Sequence, residues 1–166
     1  MTLTMHAVIG ATITAWTGNP LLAFLIGLMS HYVSDAIPHG DEWVYWRHVH
    51  NKKDTIALVS ATIDVLALIG VWVAVITLRD WPSVTSLSVA MFGAILPDLL
   101  IHVHNIHKPH FTQATSRIIQ TYYRALQAHY QFHMFCHNLA HTPIRYRTAI
   151  GYQVIAVIGF LLWWKK

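Results

Sequence analysis

The chain has 166 residues, of which 55% are hydrophobic and 11% charged, with a formal charge of +4. A soluble domain of this size cannot hide so much apolar surface, so composition points to a membrane protein; the modest charge argues against a nucleic-acid partner. One cysteine, Cys136, excludes an intramolecular disulfide and a thiolate zinc ribbon, which leaves histidine and carboxylate for any metal chemistry.

Residues 3–37 read as a short helical hairpin. HAVIGATITAW and LLAFLIGLMSHYVSDAI are separated by TGNP, where Asn19-Pro20 favours a turn and proline suits the first turn of a helix. The start carries no basic leader, so a cleaved signal peptide is not expected. A polar loop from Pro38 to Asp54 leads to a second hairpin over 55–104. Its first arm, Ile56 to Leu78, is long enough to cross ~30 Å of hydrocarbon and holds a single charge, Asp64. Its second arm is Val84 to Ile101, and the turn falls near Asp80 to Ser83. Gly27 and Gly93 lie in similar surroundings and would let helices approach closely.

Residues 113–141 read as an amphipathic helix: Arg117, Gln120, Arg124, Gln127 and Gln131 share one side, and Ile119, Tyr122, Leu126 and Tyr130 the other. His129, His133, His137 and His141 extend the apolar side and should point inward. A last span covers 146–164 and ends in Trp163, Trp164, Lys165 and Lys166. The expected fold is therefore one all-α integral membrane domain over 1–166. It is a bundle of about five membrane helices, the first pair short, plus the amphipathic helix. Arg47, Lys52, Lys53, Lys108, Arg117, Arg124, Arg145 and Arg147 gather at one set of span ends, which the positive-inside rule makes cytoplasmic.

The ionisable groups converge on that same side. Counting from the first turn puts His6 and His31 at one level, and counting from the second puts Asp64 level with Asp98. His31 with Asp35, Asp98 with His102, and His129, His133 and His137 repeat a four-residue step, so each pair can aim two donors at one point. Neutral imidazole with carboxylate suits Zn²⁺ or a similar divalent ion when thiolates are absent. The set His6, His31, Asp35, Asp98, His102, His129, His133 and His137 is thus a candidate site for one or more divalent metals, zinc first. A carboxylate in mid-span costs ~2.5–3.5 kcal/mol on insertion scales, which makes Asp64 a functional candidate, although a buried hydrogen-bonding role fits it too. His48 and His50 read as solvated loop residues; His104, His107 and His110 read as interfacial.

HYVSDAIPH, His31 to His39, resembles the H-Y-x-x-D-x-x-x-P-x-H signature of zinc-dependent phospholipases C and S1/P1 nucleases, helical enzymes that cleave phosphate esters at a trinuclear zinc site. This chain is one residue shorter before the proline and one shorter after it. The resemblance implies that His31 and Asp35 are metal ligands, with His39 as a third ligand or a base. HAVIGA, SHYVSDAIPHGD and GAILPD together resemble small bacterial membrane-bound metal-dependent hydrolases over most of the first 104 residues. That likeness implies His6 as an early ligand and Asp64 as ligand or base.

The expectation is a membrane-embedded metal-dependent hydrolase in which Asp64 or His39 takes the proton from a metal-activated water. A membrane lipid or lipid-linked phosphate is the expected substrate, since the site lies at a depth that headgroups reach. Two other classes compete. HVHNIH and HYQFHMFCH resemble the histidine boxes of di-iron lipid hydroxylases, but paired intramembrane aspartates are unusual there. A metal or proton transporter would need polar groups continuing across the membrane, and the far side shows only TGNP and RDWPS.

Overall fold

A computed structural model describes residues 1–40, 55–77, 83–111, 116–139 and 144–164. Among these are six helices and no strand: α1 (Leu3–Thr14), α2 (Pro20–Asp35), α3 (Thr55–Thr77), α4 (Val84–Phe111), α5 (Arg117–His137) and α6 (Tyr146–Trp164). Side-chain caps start the first two. The Thr2 hydroxyl accepts from the Met5 amide, and the Asn19 side chain accepts from Leu22 N with Pro20 opening α2.

Among the described residues three helices are long and apolar enough to cross a membrane: Thr55–Thr77, Val84–His107 within α4, and Tyr146–Trp163 within α6. That is fewer than the five expected. The turn at Asn19 and the helix end at Asp35 hold α1 to 12 residues and α2 to 16, lengths of about 18 and 24 Å that fall short of the hydrocarbon thickness. Helix α4 runs on to Phe111, past the expected end at 104, and α5 is four residues shorter at each end than the expected 113–141. The turn between α3 and α4, His141, His48 and His50 lie outside the described residues.

Helix α4 is the hub. It packs against α1 and α2, carries α5 on its C-terminal half, and α3 and α6 lean on α1. Contacts between α2 and α4 pair Gly27 with Ala90 and His31 with Ala94, so the two run parallel with one constant offset. Glycine makes that closeness possible. A Cβ on Gly27 would strike the Ala90 carbonyl, and one on Gly93 would lie 2.6 Å from the Phe24 carbonyl. Helix α1 runs the other way, with Gly10 against Ala90 and Ala94 and His6 beside Asp98. These directions bring the start of α1, the end of α2 and the middle of α4 to one level.

Gly27→Val is expected to destabilise the fold by about 2–3 kcal/mol, because backbone cannot yield as a side chain can. Gly70→Val on α3, where a Cβ meets nothing within 4 Å, is the control. Thermal unfolding of the two detergent-solubilised variants checks the difference. Below the small-residue seam, Ala7, Val8, Ala11, Val71, Val75, Leu87, Met91 and Phe160 form an apolar core where α1 meets α3, α4 and α6. Outside it, Leu58, Ile63 and Leu66 of α3 are exposed, as suits a helix that is apolar all round and faces lipid.

Candidate metal centre

Four helices deliver the cluster. His6 comes from α1, His31 and Asp35 from the last turns of α2, Asp98 from α4, and His133 and His137 from α5. Asp35 is the common point. Its Oδ2 lies 3.0 Å from His31 Nε2, 2.9 Å from His133 Nε2 and 3.2 Å from His137 Nε2, while its Oδ1 lies 3.1 Å from His6 Nε2 and 3.5 Å from the Met1 nitrogen. Asp98 stands further back. Its oxygens are 3.7–3.9 Å from His6, His31 and His133, and its side chain is 22% exposed where that of Asp35 is sealed.

Proximity here is not hydrogen bonding. His6 Nε2, His31 Nε2 and Asp35 Oδ2 are buried, and none makes a hydrogen bond of acceptable geometry despite these short separations. Orphaned polar atoms at close quarters are costly unless something else satisfies them, and lone pairs aimed at one point are what a cation satisfies. Donors around a tetrahedral Zn²⁺ at its usual bond lengths stand about 3.3 Å apart, close to the separations from Asp35.

The outer ends of the rings fix which nitrogen is bare. His31 Nδ1 lies 2.7 Å from the Ala94 carbonyl, which can only accept, so the proton sits on Nδ1 and the Nε2 lone pair is free. His39 Nδ1 likewise donates to a backbone carbonyl, that of Ile37, at 2.6 Å. For His6 the lock has two steps: the Ser34 hydroxyl donates to the His31 carbonyl at 2.9 Å and accepts from His6 Nδ1 at 2.9 Å. The Pro97 turn of α4 offers two carbonyls to neighbouring helices, Ala94 to His31 and Pro97 to His129.

The ligand atoms fall into two groups that share Asp35: His31, Asp35, Asp98 and His133 in one, and Asp35, His39 and His137 in the other. The buried His/Asp cluster could hold a metal ion, and its donors are all nitrogen and oxygen. Helix α6 steadies the second group. Tyr152 donates to the Pro38 carbonyl at 2.8 Å, Gln153 donates to the His39 carbonyl at 3.5 Å, and Gly40 at φ 69° sits where a Cβ would meet the Ile144 carbonyl at 2.7 Å.

Three expected site residues stand elsewhere. Asp64, expected to serve as a base, spends both oxygens on the start of α1: Leu3 N donates to Oδ2 at 2.7 Å and Thr4 N to Oδ1 at 3.1 Å. A carboxylate satisfies the orphan amides of a helix N-terminus, which accounts for its presence in a span. His129, expected as a ligand, donates through Nε2 to the Pro97 carbonyl at 3.0 Å and accepts from the Tyr32 hydroxyl at 3.2 Å, so neither nitrogen is left for a metal. His102 is exposed. The buried face of α4 instead passes through Ala94, Pro97, Ile101 and His104, a spacing nearer three than four that carries position 102 out of the bundle.

His104, read from the sequence as interfacial, is the buried histidine of that stretch. It stacks between Tyr123 and Tyr130, with ring centroids 5.5 and 4.9 Å away, and its Nε2 meets Gln127 Oε1 at 2.8 Å. The two tyrosines seven apart on α5 were the available signal. Asp64→Ala is expected to cost about 1–2 kcal/mol in stability, as lost caps do, and to weaken metal retention through the His6 helix without abolishing it. Thermal unfolding with and without added zinc separates the two effects. Comparison with known proteins found no matching family model, curated protein or solved structure.

Proposed function

We propose that this chain is a membrane-embedded, metal-dependent phosphoesterase whose metal is zinc and whose substrate is a lipid or lipid-linked phosphate ester. The reading is carried by the shared Asp35: one buried carboxylate joins two groups of nitrogen and oxygen donors, an arrangement suited to a pair of divalent cations. Such ions supply charge for a phosphoryl oxygen and lower the pKa of a water nucleophile. The residues do the rest.

His31, locked by a backbone carbonyl, and His6, locked through Ser34, present lone pairs without reorganisation, which is the preorganisation that charge stabilisation needs. Asp98, set back from the imidazoles by 3.7–3.9 Å and partly exposed, can hold a water on its open side. As that water forms its bond to phosphorus, its proton passes to Asp98, and the same carboxyl returns the proton to the departing lipid oxygen. His39 completes the second donor group.

Depth favours a lipid substrate. Asp98 lies within the apolar part of α4, about 6 Å inside the position where the sequence turns polar at His102. A headgroup reaches that level without leaving its leaflet. The sequence at the site end of the spans carries Arg47, Lys52, Lys53, Lys108, Arg145 and Arg147, a bias that by the positive-inside rule supports a cytoplasmic orientation of that end in an inner membrane.

Elemental analysis of the purified protein, followed by phosphate-release assays on phospholipids and polyprenyl phosphates, tests the proposal. Retained zinc with turnover lost in Asp98→Asn supports it. Retained iron with no phosphate release from any lipid overturns it in favour of oxygen chemistry.

A further inference from the structure

Helix α5 has more to offer than its metal-facing side. Leu126, His133 and Cys136 are buried, but Phe132 and Phe135 are exposed on another side, at 49% and 60%; Ile118 in the first turn is 82% exposed, and Leu139 just beyond the helix is exposed as well. Arg117 and Arg124 are also exposed, and the helix has no acidic residue. No carboxylate among the described residues pairs with either arginine.

The direction of α5 gives this pattern meaning. Tyr123, Gln127 and Tyr130 meet His104, and His133 meets Asp98, so α5 runs back along α4 from its polar end toward the middle of a candidate span. Charge follows the same gradient. Both arginines lie in the first eight residues, Arg124 level with His107 at the end of the HVHNIH stretch and Arg117 about two turns further out, whereas residues 125–139 contain no Lys, Arg, Asp or Glu. From Arg124 to Leu139 the chain advances about 20 Å, enough to pass from headgroup to hydrocarbon.

We infer that α5 is inserted into one leaflet from its C-terminal end, with Arg117 and Arg124 forming a binding site for the phosphate of an anionic lipid headgroup at its N-terminal end. Guanidinium groups match phosphate oxygens in geometry as well as charge, and the adjoining apolar side chains cover the acyl region beneath. The inference stands on the placement of α5 and does not depend on hydrolysis.

Spin labels on the full-length chain test it. Ile118→Cys, Phe132→Cys and Leu139→Cys, each combined with Cys136→Ser, are reconstituted in nanodiscs of phosphatidylcholine with or without phosphatidylglycerol. Relaxation by oxygen against a water-soluble chromium chelate should place position 118 at headgroup depth and positions 132 and 139 progressively deeper. Equal chelate access at all three positions overturns the insertion. Native mass spectrometry then measures retained phosphatidylglycerol against phosphatidylcholine. Each of Arg117→Gln and Arg124→Gln should lower the preference about fivefold, and the lysine replacements should keep most of it. A double glutamine variant with unchanged preference overturns the headgroup site, and its unfolding temperature shows whether the bundle is intact.

Discussion

Asp35→Asn is expected to abolish divalent-metal retention, lowering affinity more than about a hundredfold, the upper end of what weaker outer-shell changes cost. The reason is arithmetic of contacts. Asp35 is the one residue common to both ligand groups, and its two oxygens stand 2.9–3.2 Å from the Nε2 atoms of His6, His31, His133 and His137. Asparagine keeps the shape, but it loses the charge that compensates a buried cation, and one of its two ends becomes a donor aimed at bare imidazoles. Asp98→Asn should be milder, since Asp98 belongs to one group and stands back from it. Zinc content after dialysis, with the zinc-dependent rise in unfolding temperature as a second readout, ranks the two. Equal retention in Asp35→Asn and the unaltered protein would sink the metal reading.

The second large effect separates the two groups. His133→Ala and His137→Ala remove neighbouring rings, stacked with centroids 4.6 Å apart, yet His133 belongs to the group with Asp98 and His137 to the group with His39. If two ions are held, His137→Ala should lose about one equivalent and keep the deeper ion, because His31, Asp35, Asp98 and His133 remain. His133→Ala should weaken the deeper site by at least about tenfold, the lower end for loss of a supporting contact. Stoichiometry by elemental analysis, together with cobalt substitution spectra, distinguishes them. Identical losses in both variants would mean one ion and a single site.

Much of this site is legible in the sequence, and the reasons are local. His31 and Asp35 share a helical face by spacing alone, and the turn at Asn19-Pro20 puts His6 at their level whatever the rest of the chain does. Position 98 follows from the same counting. What spacing cannot supply is the destination of a side chain once another element competes for it. Asp64 reads as a chemical group because a carboxylate in a span needs a reason, and the reason turns out to be the two amides at the start of α1. His129 keeps the four-residue step of its neighbours, yet the Pro97 carbonyl and the Tyr32 hydroxyl occupy its nitrogens. His102 obeys the step from Asp98, whereas the buried stripe of α4 drifts and selects His104. The three long helices were visible from composition; the shortness of α1 and α2 as spans followed from the turn that bounds them.

The attachments of α6 bear on how the protein is made. Gln153 accepts hydrogen bonds from the amide and the hydroxyl of Thr2 at 3.1 and 2.9 Å and reaches the His39 carbonyl, so α6 ties down residues flanking α1 and α2. Asp64 of α3 grips α1 in the same manner. During synthesis α1 and α2 therefore emerge before the contacts that align their histidines exist. If the cluster holds a metal, capture at its second group waits for α6, and a chain truncated before α6 should fail to hold an ion at the His39 end of the cluster.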